Sequence, residues 1–308
     1  MAISQQQIVH SSDKKALLSG SVLQTIQAFV ALTKPKILVM LVFTSLCAAI
    51  VAQRGFPDLK VTFFMLIGLA LSSGGSAAIN MWYDRDIDSL MTRTYKRPIP
   101  TGIVQPKAAL WFGIILGVLS GLVLILYVNP LTALLSSLGF IYYAVIYTMW
   151  LKRRTPQNIV IGGGAGAMPV LIGWASVTGS LSITPIIMFL IIFFWTPPHF
   201  WSLAVYKNED YTKAGIPMMP VVRGARYTKI QSVLYSVILL TTSILLYFTK
   251  YVGISYLIAA VILGTIFLIH NIFVLWETDT DFVWAKRTFF FSLLYLPVLF
   301  IFMVMDVF

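Results

Sequence analysis

The chain has 308 residues, of which 58% are hydrophobic and only 11% charged. Soluble domains carry about 25% charged residues, so this composition excludes a water-soluble globular protein. The one cysteine, Cys47, rules out a disulfide scaffold. The formal net charge of +11 would suggest a nucleic-acid partner until the cations are located along the chain.

In chain order, residues 1–26 are polar, lack an apolar core followed by a small-residue cleavage site, and read as a mobile cytoplasmic tail rather than a cleaved signal peptide. Apolar stretches long enough to cross about 30 Å of hydrocarbon as helices then follow at 37–53, 61–83, 108–128, 131–150, 157–177, 184–205, 229–249, 254–276 and 288–306. The expected fold is all-α: a polytopic bundle of nine transmembrane helices forming one domain over 27–308.

With the N-terminus inside, 19 of the 22 Lys and Arg residues fall on the inside segments, and only Arg54, Lys60 and Lys250 lie outside. That is the positive-inside pattern. It places the N-terminus in the cytoplasm and accounts for the net charge without nucleic acid. The longer inside loops, after the second and sixth helices, carry most of the chemically able side chains, so function is expected on the cytoplasmic face.

The strongest constellation closes the second helix: Asn80, Asp84, Asp86 and Asp88 within Asn-Met-Trp-Tyr-Asp-Arg-Asp-Ile-Asp. At about 100° per residue, positions 80, 84 and 88 share one face while Asp86 points elsewhere. Two carboxylates stacked at a membrane boundary are costly without a cation. Oxygen ligands of this kind suit Mg²⁺, which is commonly held by one or two carboxylates plus phosphate oxygens. Just downstream, Arg93, Lys96 and Arg97 supply cations for phosphate oxygens beyond the metal's reach.

A second polar segment, from Trp201 to Lys213, follows the sixth helix at the matching place in the topology. It carries Tyr206 and Asp210 as an i, i+4 pair, with Lys207 and Glu209 beside them. The correspondence reads as two four-helix repeats with a ninth helix appended, a plan that commonly puts the site at the repeat interface. Two acidic loops facing each other would bridge a diphosphate through Mg²⁺.

At this point the residues resemble the UbiA-type intramembrane prenyltransferases, whose signature Asn-x-x-x-Asp-x-x-x-Asp is met by Asn80, Asp84 and Asp88. Supporting runs are Leu32-Thr-Lys34-Pro35-Lys36, Arg97-Pro-Ile-Pro-Thr-Gly102, Leu151-Lys-Arg-Arg154-Thr-Pro-Gln157-Asn158 and Gly162-Gly-Gly-Ala-Gly166-Ala-Met-Pro169. Further ones are Trp195-Thr-Pro197-Pro198-His199-Phe200-Trp201, the most specific piece, and Asp210-Tyr-Thr-Lys-Ala-Gly215-Ile-Pro217-Met-Met-Pro220. The resemblance covers residue 30 to the end. One departure concerns the second acidic motif, where Tyr206 stands at the first acidic place.

The resemblance, strongest to the haem-modifying members, implies transfer of a farnesyl group from farnesyl diphosphate to a vinyl group of haem B, with Mg²⁺ held by Asn80, Asp84, Asp88 and Asp210. It implies a multi-pass enzyme of the cell's inner membrane, with haem A synthase or another haem-delivery membrane protein as partner. Arg93, Lys96, Arg97, Tyr206 and Lys207 are then substrate-binding. Lys152, Arg153 and Arg154 would bind haem propionates or anionic lipid, or serve only as inside anchors.

His199 is read as an axial haem ligand, a base for water capture, or a hydrogen-bond donor where Pro197 and Pro198 disrupt the helix. Gly113-x-x-x-Gly117-x-x-x-Gly121 and Gly162-x-x-x-Gly166 mark close helix contacts. Two other readings stand beside this one. A quinone-pathway prenyltransferase acting on an aromatic acid would share Asp84 and Asp88. A multispanning transporter would instead need ionisable residues near its helix centres.

Overall fold

A computed structural model describes residues 22–278 and 280–308. Residues 1–21, most of the expected tail, lie outside the described residues. The helix α1, Val22–Leu32, begins within the stretch expected to be tail, so that expectation does not hold for 22–26.

Among the described residues, nine helices are long and apolar enough to cross a membrane. They are α2 (Pro35–Gln53), α3 (Leu59–Tyr83), α5 (Pro106–Tyr127), α6 (Pro130–Ile141, continuing as a π-helix over Tyr142–Leu151), α7 (Asn158–Thr178), α8 (Ile183–Tyr206), α11 (Ala225–Tyr247), α12 (Ile254–Trp276) and α13 (Val283–Met305). Short helices α4 (Arg85–Asp88), α9 (Asn208–Lys213) and α10 (Met219–Arg223) lie in the two long loops. The nine spans agree with the sequence expectation. The largest difference is at α13, which starts at Val283 rather than 288 and takes in Lys286 and Arg287.

Local chemistry sets several boundaries. Pro35, Pro106 and Pro130 occupy first-turn positions, where a missing N–H costs nothing. Asp58 Oδ1 accepts from Val61 N (2.8 Å) and Asn129 Oδ1 from Thr132 N (2.8 Å), capping α3 and α6. Glu277 accepts from Trp284 N and Ala285 N at the start of α13.

The bundle closes on itself. α3 packs on α5, α5 on α6, α7 on α8, α8 on α11, α11 on α12 and α12 on α13, which returns to α8 and α2. α7, which also packs on α2, α3 and α6, is the most enclosed span. Glycines make that possible: a Cβ at Gly173 would lie 2.0 Å from the Ser45 carbonyl oxygen of α2, and one at Gly163 2.9 Å from Thr196 of α8.

The two glycine patterns prove uneven. Gly113 faces the Gly75 backbone, and Gly117 and Gly162 face Phe140 and Tyr147. Gly121 has only Ser137 Oγ at 4.0 Å and Gly166 has nothing within 4 Å, so these two are not contact glycines.

The expected break at Pro197 and Pro198 is absent, because α8 runs uninterrupted from Ile183 to Tyr206. Proline's fixed φ is itself helical. Thr196 and Ser202 bond back onto the same helix, Thr196 Oγ1 donating to Ile192 O (2.8 Å) and Ser202 Oγ to the carbonyls of Pro198 and His199 (both 2.8 Å).

Candidate active site

The polar ends of α3, the π-segment and α8 meet at one end of the bundle. The i→i+4 ladder of α3 carries on through its cap, with Asp84 N donating to Asn80 O (2.9 Å) and Asp88 N to Asp84 O (2.8 Å). Asn80, Asp84 and Asp88 therefore share a face, as the spacing predicts, and all three are buried, Asp84 at 0% exposure.

Opposite them runs the π-segment. Its wide turns, marked by Thr148 Oγ1 bonding Tyr143 O (2.8 Å) and Lys152 N bonding Tyr147 O (2.9 Å), bring Tyr143, Thr148 and Lys152 to one side. A regular α-helix, at 3.6 residues per turn, would spread positions 143, 148 and 152 apart. π-segments recur at functional sites for this reason. Asn80 Nδ2 donates to Asp84 Oδ2 (2.8 Å) and Thr148 Oγ1 (3.1 Å), and Lys152 Nζ pairs with Asp84 Oδ2.

Sequence reasoning missed Lys34. It caps α2 in a left-handed conformation (φ 52°) and donates to Asn80 Oδ1 (2.6 Å) and the Tyr143 hydroxyl (3.1 Å). Burial, followed by the positive charges of Arg97 and Lys152, pushes its pKa down to about 7. A half-buried amine among other cations favours an incoming anion. The available signal was the Lys34-Pro35 pair, since a residue before proline is barred from ordinary helix.

Arg97 Nη1 binds Asp88 Oδ2 (2.7 Å) and Arg153 forks onto Asp86 (2.7 and 2.8 Å) while donating to Tyr83 O (2.9 Å). That hydrogen-bonded guanidinium holds the Asp86 carboxyl below the usual carboxylate range. Asp86 is the acid the helical phase turns away, and its side chain is 62% exposed. Asp86→Ala should therefore leave turnover within about 3-fold of the parent, since an exposed pair is worth little. Steady-state rates of the purified variant check this.

The second acidic loop closes on the first. Thr92 Oγ1 donates to Asp210 Oδ2 (2.7 Å), and beneath that bond Ile87 and Met91 pack with Tyr211, Ile216 and Met218 in one small apolar cluster. Tyr206 ends α8 with its ring edge against Phe289 at 6.3 Å. Lys207, Arg93, Lys96 and Arg154 are exposed around this end. Lys152 and Arg153, expected on haem propionates or anionic lipid or as inside anchors, pair with Asp84 and Asp86. Trp82 and Tyr83 carry Arg85 and Arg153 on their rings.

His199 lies deeper, roughly 10 Å of helix rise before the end of α8. Its ring is stacked between Trp195 (4.3 Å) and Phe289 (4.9 Å), with Nδ1 2.6 Å from Ser292 Oγ.

The model of a prenyltransferase family called UbiA matches residues 41–294. The chain belongs to the UbiA prenyltransferase family. A Symbiobacterium thermophilum protein named protoheme IX farnesyltransferase is 53% identical over 284 residues, 92% of this chain and 95% of that one. One of the same name from Neorickettsia sennetsu is 46% identical over 92% of this chain and 93% of its own. Among solved structures, a digeranylgeranylglyceryl phosphate synthase aligns with a TM-score of 0.78 at 18% identity, over 92% of this chain and 99% of that one. A UbiA homolog from Archaeoglobus fulgidus bound to DMAPP and Mg²⁺ aligns at 0.62 and 17% identity, over 90% and 99%. These two share the fold.

The fit of this UbiA site to Mg²⁺ rests on its oxygens. Among the described residues no three or more His, Cys, Asp or Glu side chains gather as a ready-made metal cage, and Asp210 reaches the first loop through Thr92 rather than joining Asp84 and Asp88. Asp84 Oδ1, however, is buried with no hydrogen-bond partner, and only Arg153 approaches it, at 3.7 Å. A buried carboxylate oxygen with an open valence suits a hard cation that completes its shell with water and phosphate.

Proposed function

We propose that the protein transfers the farnesyl group of farnesyl diphosphate to a vinyl group of haem B, with addition of water, to give haem O. The carrying observation is the buried face of Asp84 and Asp88, one oxygen of it unsatisfied, closed over by a second acidic loop through Thr92 and Asp210. The acceptor is taken from the names of relatives at 46–53% identity.

In this reading Asp84 and Asp88 would hold Mg²⁺, with Asn80 as a neutral oxygen and Asp210 brought in from the second loop, and the metal would supply positive charge to offset the leaving diphosphate. Arg93, Lys96 and Lys207, exposed at the mouth, draw the anion in. Lys34, Arg97 and Lys152, now on Asn80, Asp88 and Asp84, turn to phosphate oxygens as the farnesyl C–O bond breaks and its electron pair leaves with the diphosphate. The vinyl π electrons form the new C–C bond to the allylic carbon. Water captures the cation left beside the porphyrin and gives up a proton. The enclosed helix ends keep water from the first cation.

We place the site on the cytoplasmic side of the cell's inner membrane, with the N-terminus inside, on the strength of the charge asymmetry. The bundle is read as two four-helix repeats with α13 appended, and a haem A synthase or other haem-delivery membrane protein as the partner. The test is purified protein in detergent with haem B, farnesyl diphosphate and Mg²⁺, scored by mass. Haem O is the expected product. Prenylation of an aromatic acid alone would reject the reading in favour of a quinone-pathway enzyme.

A further inference from the structure

Ser292, in the first half of α13, is fully buried and holds two contacts that together fix a proton. Its Oγ donates to Phe289 O at 2.5 Å. A serine hydroxyl has one hydrogen, so the 2.6 Å contact with His199 Nδ1 must run the other way, from Nδ1–H to Ser292 Oγ. The tautomer follows from the network. His199 carries its proton on Nδ1, and Nε2 holds a free lone pair.

Nε2 has no hydrogen-bond partner among the described residues, yet it is not one of the sealed, unsatisfied polar atoms of the interior. The residue keeps 6% of its surface accessible. The ring is clamped by Trp195 and Phe289, whose planes lie within 15° and 22° of its own, and Trp195 Nε1 is tied to Ser292 O (3.1 Å). One turn of α13 therefore sets both the position and the protonation of this imidazole.

We propose that Ser292 is a positioning residue that presents His199 Nε2 as an axial ligand to the iron of the haem acceptor. The inference rests on the haem reading above. A neutral imidazole that donates one N–H to an oxygen and offers the other nitrogen is the state in which histidine ligates metals. The depth of His199, about two turns inside α8, seats the macrocycle among the helices while its edge reaches the polar end. It also gives the ninth helix a task that the two four-helix units leave undone.

Ferric haem B is titrated into the purified full-length protein in detergent, followed by absorption and electron paramagnetic resonance, with size-exclusion profiles as the check on folding. The wild type should give a histidine-ligated spectrum. His199→Ala should lose it and regain it with added imidazole. Ser292→Ala should weaken haem affinity roughly 10- to 100-fold, the usual cost of removing a ligand's hydrogen-bond partner, and Ser292→Thr, which keeps the hydroxyl, should restore it. Bound haem that is converted to haem O, with a spectrum unchanged in His199→Ala or an affinity unchanged in Ser292→Ala, overturns this inference and leaves the proposed function standing. Wild-type protein that binds no haem and alkylates only an aromatic acid overturns both.

Discussion

Asp84→Ala is expected to reduce haem O formation by roughly 10³-fold, or about 4 kcal/mol of transition-state stabilisation, while the protein still inserts and purifies normally. Asp84 is the most buried acid of the face and owns the oxygen without a partner. Alanine would also strand Lys152, so a second variant separates charge from shape. Asp84→Asn keeps an acceptor for Lys152 and Asn80 and removes the carboxylate. Both variants should fail, and Asp88→Ala, which frees Arg97, should fail with them. Single-turnover product mass is the readout. Full activity in Asp84→Asn would refute the metal-ligand role.

The second large effect is structural. Gly173→Ala should destabilise the protein by about 1–3 kcal/mol or more, the range for overpacking, and lower its melting temperature in detergent by several degrees. The new Cβ would stand 2.0 Å from Ser45 O and 2.8 Å from Ser45 C. These are backbone atoms of α2, so no rotamer change relieves the contact and the two helices must part. Gly166→Ala, on the same helix with nothing within 4 Å, is the matched control. It should be neutral or slightly stabilising, because alanine is the better helix former by about 1 kcal/mol. Equal melting temperatures for the two variants would contradict the packing account.

Much of this was legible in the sequence because the bilayer imposes it. Nine apolar runs, the one-sided cations and the 80–84–88 spacing each follow from a single physical rule. The rest depended on contacts between distant segments. Lys34 reaches Asn80 across 46 residues and Thr92 reaches Asp210 across 118, and no local pattern announces either.

The π-segment is equally hidden. Its Tyr-rich run reads as ordinary apolar helix, and only the wider turn aligns Tyr143, Thr148 and Lys152. Lys152-Arg153-Arg154 reads as a substrate, lipid or anchoring cluster, and its pairing of Lys152 with Asp84 spans 68 residues and has no local signal. The Pro197-Pro198 pair misled for a related reason: proline's fixed φ is itself helical, so the missing N–H groups do not stop α8 from running through both positions.

If acidic loops from the two halves of the chain grip one diphosphate through Mg²⁺, substrate binding must depend on the metal and on both loops. Calorimetric titration of a non-ionising farnesyl thiodiphosphate, with and without Mg²⁺, measures both dependences. Binding should require Mg²⁺ in the wild type and weaken at least about 10-fold when either Asp84 or Asp210 is replaced by alanine. Equal affinity without the metal, or an Asp210→Ala variant that binds like the parent, would contradict it.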